Sequence, residues 1–116
     1  AERHAMLAEI RISNLVQILP PNVEQAFYRV GQESIENVSM HSSAKKMFFS
    51  LAEEDGVVSM EIRDDGVGFE PQNQHGKGHY GLQGMQERAT SIGADLDVLS
   101  QPGVGTTIKL SWERFV

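Results

Sequence analysis

The 116-residue chain is 40% hydrophobic and 22% charged, the balance of one globular domain with a single core. Its formal net charge of −6 argues against general nucleic-acid binding, so any phosphate site has to rely on local donors. It has no cysteine, which excludes disulfides and thiolate chemistry, and no apolar run approaches the roughly 18 residues of a membrane span.

The polar start, Ala1-Glu2-Arg3-His4, lacks the features of a signal peptide and reads as the cut edge of a longer protein. Ile10, Ile12 and Leu15 suggest a first strand. Pro20-Pro21 ends it and opens a helix, because proline is favoured in the first helical turn. From Val23 to about His41 the pattern is helical, with Val23, Ala26, Phe27, Val30, Ser34 and Val38 on one buried face. Residues 45–52 alternate through Met47, Phe49 and Leu51, and residues 57–64 through Val58, Met60 and Ile62. Asp55-Gly56 between them is a hairpin signal. Residues 70–80 are polar, carry Pro71, Gly76 and Gly78, and read as a mobile loop. Leu82, Met85, Ala89 and Ile92 form a second helical stripe that Gly93 stops. Leu96, Val98 and Leu99 belong to another strand, Gln101-Pro102-Gly103 turns the chain, and Thr106, Ile108, Leu110 and Trp112 alternate in a last one. The order predicts an α+β domain in two layers, a mixed, mainly antiparallel sheet covered on one face by about three helices.

Two glycine-rich segments carry the chemistry. Asp64-Asp65-Gly66-Val67-Gly68-Phe69 ends an alternating strand, where a carboxylate can accept a hydrogen bond from a base amino group. Its glycines let backbone approach a ligand without a Cβ in the way. Gly78-His79-Tyr80-Gly81-Leu82-Gln83-Gly84-Met85 opens a helix, whose first N–H groups form a natural phosphate seat. Glu33 and Asn37, four apart, share one flank of the first helix. An Asn carbonyl oxygen suits Mg²⁺, which keeps several waters and shares substrate phosphates; a carboxylate beside it could polarise an attacking group. The plainer alternatives are a rim of the core for Glu33 and Asn37, a simple turn for residues 64–66, and a hairpin loop for Gly103-Val104-Gly105-Thr106. Lys77 and His79 either touch phosphate or belong to a solvated loop. The four histidines, His4, His41, His75 and His79, match no zinc spacing; His41 is placed to cap the first helix. Glu53, Glu54, Asp55, Glu87 and Arg88 read as solvated surface.

From about Leu19 to Trp112 these residues resemble the ATP-binding catalytic domain of bacterial sensor histidine kinases, within the gyrase, Hsp90, histidine kinase and MutL superfamily. The nearest resemblance is to the subgroup that works with helix-turn-helix response regulators. Tyr28 to Ser42, including Gly31-Gln32-Glu33-Ser34-Ile35-Glu36-Asn37, is similar to the N box. Asp64-Asp65-Gly66-Val67-Gly68 is similar to the first glycine box, Gly78 to Ala89 to the second at the end of a short ATP lid, and Gly103-Val104-Gly105-Thr106 to the last Gly-Thr element. The resemblance implies a Bergerat-type α/β sandwich over residues 1–116, without the dimerisation, phosphoacceptor and sensor domains. It implies ATP and Mg²⁺ as cofactors, with Asn37 as the metal ligand and Glu33 as the catalytic residue. It puts Asp64 on the adenine amino group, with Gly66, Gly68 and Thr106 beside it, and His41, Lys77, Gly78, His79, Gly81 and Leu82 toward the phosphates. Met40 stands where members carry Lys or Arg, leaving His41 or Lys77 to supply that contact, and Glu36 adds negative charge near the metal edge.

The implied activity is donation of the γ-phosphoryl group of Mg-ATP to a histidine on a separate dimerisation domain. The implied partners are that domain and a cognate response regulator, with no nucleic acid and no direct membrane contact. The fragment is expected to be monomeric and cytoplasmic, within a full-length protein that the inner membrane could anchor. The rival readings are a nucleotide-driven conformational switch without kinase activity and a serine kinase acting on an anti-sigma partner.

Overall fold

A computed structural model describes residues 6–15, 17–39, 43–68 and 81–114. They form β1 (Leu7–Ile12), α1 (Pro21–Asn37), β2 (Lys46–Glu54), β3 (Val57–Asp64), α2 (Leu82–Ser91), β4 (Asp95–Gln101) and β5 (Gly105–Glu113). The strands make one five-stranded sheet in the order β1-β2-β3-β5-β4. β1 runs parallel to β2 and every other neighbouring pair is antiparallel. The expected α+β layers are present, with two helices among the described residues against the expected three or so. None of these helices is long and apolar enough to cross a membrane.

Side chains on the helix-covered face of the sheet line up in rows across the strands. Leu51, Met60, Leu110 and Leu96 form one row, and Phe49, Ile62, Ile108 and Val98 the next. Met60, Ile62, Ile108 and Leu110 are buried there beneath α1 and α2. The stripe expected on α1 packs onto them: Val23, Ala26, Phe27, Val30, Ser34 and Val38 are all buried. Gly31 is buried too, because a Cβ there would come within 3.2 Å of the Met60 sulfur. Leu82, Met85 and Ala89 of α2 complete the layer, and Ile92 packs against it from the edge. The β2–β3 turn is built from Asp55 and Gly56, both at positive φ, as a two-residue hairpin requires.

Some expectations need correction. β1 ends at Ile12 rather than continuing to Leu15, since the chain leaves β2 after Ser13 donates to the Leu51 carbonyl at 2.8 Å. α1 is assigned only to Asn37, where Val38 caps it by donating to the carbonyls of Ser34 and Ile35; His41 lies outside the described residues. Leu99 shares β4 with Leu96 and Val98 but projects from the opposite face and is exposed. Glu53 is not a solvated hairpin acid. It continues the inward face of Met47, Phe49 and Leu51, and its carboxylate takes a bidentate pair of 2.9 Å bonds from Arg114. The two side chains are 2% and 6% exposed. Arg114 also donates to the carbonyls of Gln17 and Ile18 and lies over the Trp112 ring, so the last described residue fastens the β1–α1 connection.

Leu110, fully buried at the centre of this core, sets a test of it. Leu110→Ala is expected to destabilise the domain by about 2–5 kcal/mol, whereas Leu99→Ala on the exposed face changes stability by no more than about 0.5 kcal/mol. Urea denaturation of the two variants measures both.

Candidate functional site

The apolar rows stop at one end of the sheet. Beyond Phe49, Ile62, Ile108 and Val98 the next row is Met47, Asp64, Thr106 and Ser100. Asp64 therefore emerges on the core side of β3, at the boundary between the sheet and the helix layer. It is half-buried, and its carboxylate accepts the Gly66 N–H at 2.8 Å. Burial raises its pKa above the ordinary aspartate value, helped by the neighbouring Asp65 charge and opposed by the Gly66 bond. Thr106 pairs with Asp64 across the β3–β5 ladder. Its hydroxyl is 2.7 Å from that of Ser100, which also reaches the Gly105 carbonyl at 3.2 Å.

The glycines around Asp64 serve close backbone approach. Gly105 has φ +141°, and a Cβ on it would strike the Asp64 carbonyl. Gly68 has φ +66°, and a Cβ on it would strike the Gln101 carbonyl. The Gly103 N–H donates to the Val67 carbonyl at 2.6 Å. The Asp64–Gly68 turn and the β4–β5 hairpin are thus one interlocked unit, and residues 103–106 are more than a hairpin loop. Asp65, not foreseen as a site residue, anchors this unit from the other side. Its Oδ1 accepts the N–H groups of Lys45 and Lys46, each at 2.9 Å. The Lys46 bond is the first cause that holds its carboxyl below the ordinary range.

The second part of the site lies where the helices meet. Gly81 precedes α2 with φ +67°, and a Cβ there would come within 2.7 Å of the Glu33 carboxylate. The α2 N-terminus therefore sits against the acid that the sequence singled out on α1. One turn deeper, the Ser34 hydroxyl donates to the Val30 carbonyl at 2.7 Å and approaches the Met85 sulfur at 3.5 Å, locking the two helices. Asn37 follows Glu33 by one turn and is half-buried. Leu82 buries its side chain in the core, so only its backbone can face a ligand. His41, Lys77, Gly78 and His79, and the lid expected over residues 70–80, lie outside the described residues.

The described residues hold no cluster of three acidic or histidine side chains that could cage a metal. A Mg²⁺ ion can be held through one protein oxygen, with phosphates and water completing its shell. Asn37 carries such an oxygen beside Glu33. Together the parts offer an acceptor for a base at one end and a helix N-terminus with an acid–amide pair at the other.

Residues 22–114 match the family model of the histidine kinase-, DNA gyrase B-, and HSP90-like ATPases. The chain belongs to this family. It is 35% identical over 92 residues to the sensor protein VraS of Staphylococcus aureus, a match spanning 79% of this chain and 26% of that protein. The corresponding Staphylococcus epidermidis protein is 34% identical over the same length and shares. The chain thus spans about a quarter of the length of these curated relatives. Among solved structures, the fold superposes on the Erythrobacter litoralis EL346 blue-light activated histidine kinase with a TM-score of 0.79 and 17% identity, over 97% of this chain and 36% of the other. The Acinetobacter baumannii histidine kinase AdeS gives 0.73 and 16%, over 97% and 56%. The family model and the sensor-protein relatives support the ATP-binding domain of a sensor protein, and the structural neighbours share its fold.

The glycine lock and the helix entrance differ in how they tolerate a side chain. Gly105→Ala is expected to cost at least about 1 kcal/mol of stability, because the residue needs positive φ and has no room. Gly84→Ala, exposed in α2 where an added Cβ meets nothing within 4 Å, should stabilise the fold by about 0.5–1 kcal/mol. Thermal melts of both variants check this.

Proposed function

We propose that the chain binds Mg-ATP and donates the γ-phosphoryl group to a histidine on the dimerisation domain of its full-length protein, for relay to a response regulator. The observation that carries this reading is the half-buried Asp64 at the end of the apolar rows, seated between two glycine turns and beside Thr106. A carboxylate there accepts the adenine amino group, with Gly66 beside it, Gly68 holding the turn against the Gln101 carbonyl, and Thr106 and Ser100 continuing the polar row. Glu33 is assigned to orient the attacking imidazole and take its proton as the new N–P bond forms and the bond to ADP breaks. Asn37 would hold the metal, which when bound neutralises charge on the phosphates. Gly81, at the entrance to α2, lies against Glu33, where a phosphate chain extending from the base would run toward the helix N-terminus. His41, Lys77, Gly78 and His79 are assigned to the same phosphates from the sequence motifs.

The raised pKa of Asp64 has opposite consequences for binding and for folding. The ionised carboxylate is the adenine acceptor, so affinity falls as pH drops through its raised folded-state value. A raised folded value also means that the folded state holds the proton more tightly than the unfolded one. The stability contribution is therefore present below the unfolded pKa and lost as pH rises through the folded one. Asp64→Asn keeps an oxygen for the Gly66 N–H and removes the buried charge. The variant is expected to be at least as stable as the parent at neutral pH, yet to bind ATP about 10- to 100-fold more weakly, for a loss of about 1.5–3 kcal/mol. Calorimetric titration beside a thermal melt tests both, and unchanged affinity in the folded variant would refute the adenine assignment.

The transfer itself has a separate test. Phosphoryl transfer needs an acceptor held in line with the γ-phosphate, where tethering supplies a high effective concentration. His41 lies in the N-box motif, His75 and His79 in the polar sequence before Gly81, and His4 outside any predicted helix. The 116-residue chain is expected to bind ATP without labelling itself, and to label the acceptor histidine once a dimerisation domain is supplied. Acid-labile label from γ-labelled ATP on this chain alone, at one per chain, would refute it.

A further inference from the structure

In place of the monomer expected from the sequence, we propose that β1 is a homotypic docking edge, through which two copies of the chain pair antiparallel about a twofold axis at Ile10. β1 lies at the end of the sheet, and all six of its residues are exposed. Leu7 donates to the Lys45 carbonyl and Ser13 to the Leu51 carbonyl. The odd-numbered residues thus spend their backbone groups on β2. Ala8, Ile10 and Ile12 point theirs outward, along an edge that carries no proline or lysine to block pairing.

Side-chain chemistry selects one register. With Ile10 opposite its own copy, Ala8 faces Ile12 of the other chain. The outward backbone groups then fall in hydrogen-bonded pairs. Glu9 falls opposite Arg11 of the copy, and Arg11 opposite its Glu9, in the closer non-hydrogen-bonded pairs. Within one chain Arg11 and Glu9 already pair at 2.8 Å on the open face of the sheet, so pairing two chains makes an alternating quartet of charges. A shift of the centre to Glu9 or to Arg11 would set like charges against each other. The edge is self-complementary in the sense that a twofold contact requires. At the other end of the sheet, β4 carries only acids, Asp95 and Asp97, and repels a copy of itself.

The same register covers apolar surface that the fold leaves bare. α1 lies over β3 and β5, and Ile10 and Ile12 on the helix side of β1 remain 61% and 65% exposed. Their register partners on β2, Phe49 and Leu51, help to line a groove of about 960 Å³ against α1. Pairing brings Ile10 against Ile10 and Ile12 against Ala8, and so covers these exposed side chains.

Sedimentation equilibrium of the 116-residue chain, in a series reaching the millimolar range, tests this. A monomer–dimer equilibrium is expected. Arg11→Glu, on an exposed side chain, should weaken it by about tenfold or more by setting carboxylate against carboxylate. The double variant Glu9→Arg with Arg11→Glu should restore it, with circular dichroism confirming the fold throughout. Because the chain has no cysteine, Ile10→Cys should form an intermolecular disulfide on mild oxidation, at the separation of about 5.5 Å between Cα atoms that such a pair provides. A chain that stays monomeric throughout the series would overturn the proposal. So would a dimer indifferent to Arg11→Glu, or one whose Ile10→Cys variant does not cross-link.

Discussion

The contact on which the site rests is the approach of two backbone segments that no side chain may separate. Gly105 passes against the Asp64 carbonyl, and Gly68 passes against the Gln101 carbonyl. These contacts, with the Gly103 N–H on the Val67 carbonyl, join the end of β3 to the β4–β5 hairpin. Asp64 gets its position from that union: its chain neighbours are pinned, its carboxylate is held by Gly66, and Thr106 stands beside it. Asp65 supplies the corresponding tie on the β2 side through the N–H groups of Lys45 and Lys46. The adjacent acids divide the labour: one anchors backbone, and the other is left half-buried with its charge penalised.

A sheet face that is apolar along most of its length and polar at its ends explains two features at once. At one end the inward face passes from Ile62 and Ile108 to Asp64 and Thr106, where the core meets the candidate nucleotide site. At the other, the inward face of β2 ends in Glu53, whose carboxylate takes the bidentate pair from Arg114. A charge that has left water needs a partner with good geometry, and the bidentate guanidinium provides it. The same Arg114 holds the Gln17 and Ile18 carbonyls, so that pair also positions the segment that leads into α1.

The helices complete the division between stability and chemistry. α1 uses Val30, Gly31 and Ser34 to seat itself on the sheet and on α2, while Glu33 and Asn37 are left at the layer's edge. Gly81 lets the start of α2 approach that edge closely enough to touch the Glu33 carboxylate. Because α1 covers the middle of the sheet, β1 is left with apolar residues in solvent and, among the described residues, an unpaired edge.

Local pattern was enough for most of the elements. The 3.6-residue stripe of α1, the alternation of β3 and β5 and the Asp55-Gly56 turn are properties of neighbouring residues, and each is present. The resemblance to the glycine boxes marked Asp64, Gly66, Gly68 and Thr106 as a set, where the glycines alone left a simple turn and a hairpin loop open. What periodicity also held, but was not drawn from it, is that Glu53 and Ser100 continue apolar faces and so must find polar partners inside the fold. Which partners they find is a tertiary matter: Arg114 is 61 positions from Glu53. Asp65 could not be separated from a solvated turn acid until β2 was laid beside β3, since its acceptors' partners come from a distant segment. The extent of β1 and its exposure were decided by where α1 came to rest, a packing outcome that no window of sequence contains. Sequence by itself determined which residues could form strands, helices and tight turns; only the tertiary structure decided which of them meet, because those contacts join segments far apart along the chain.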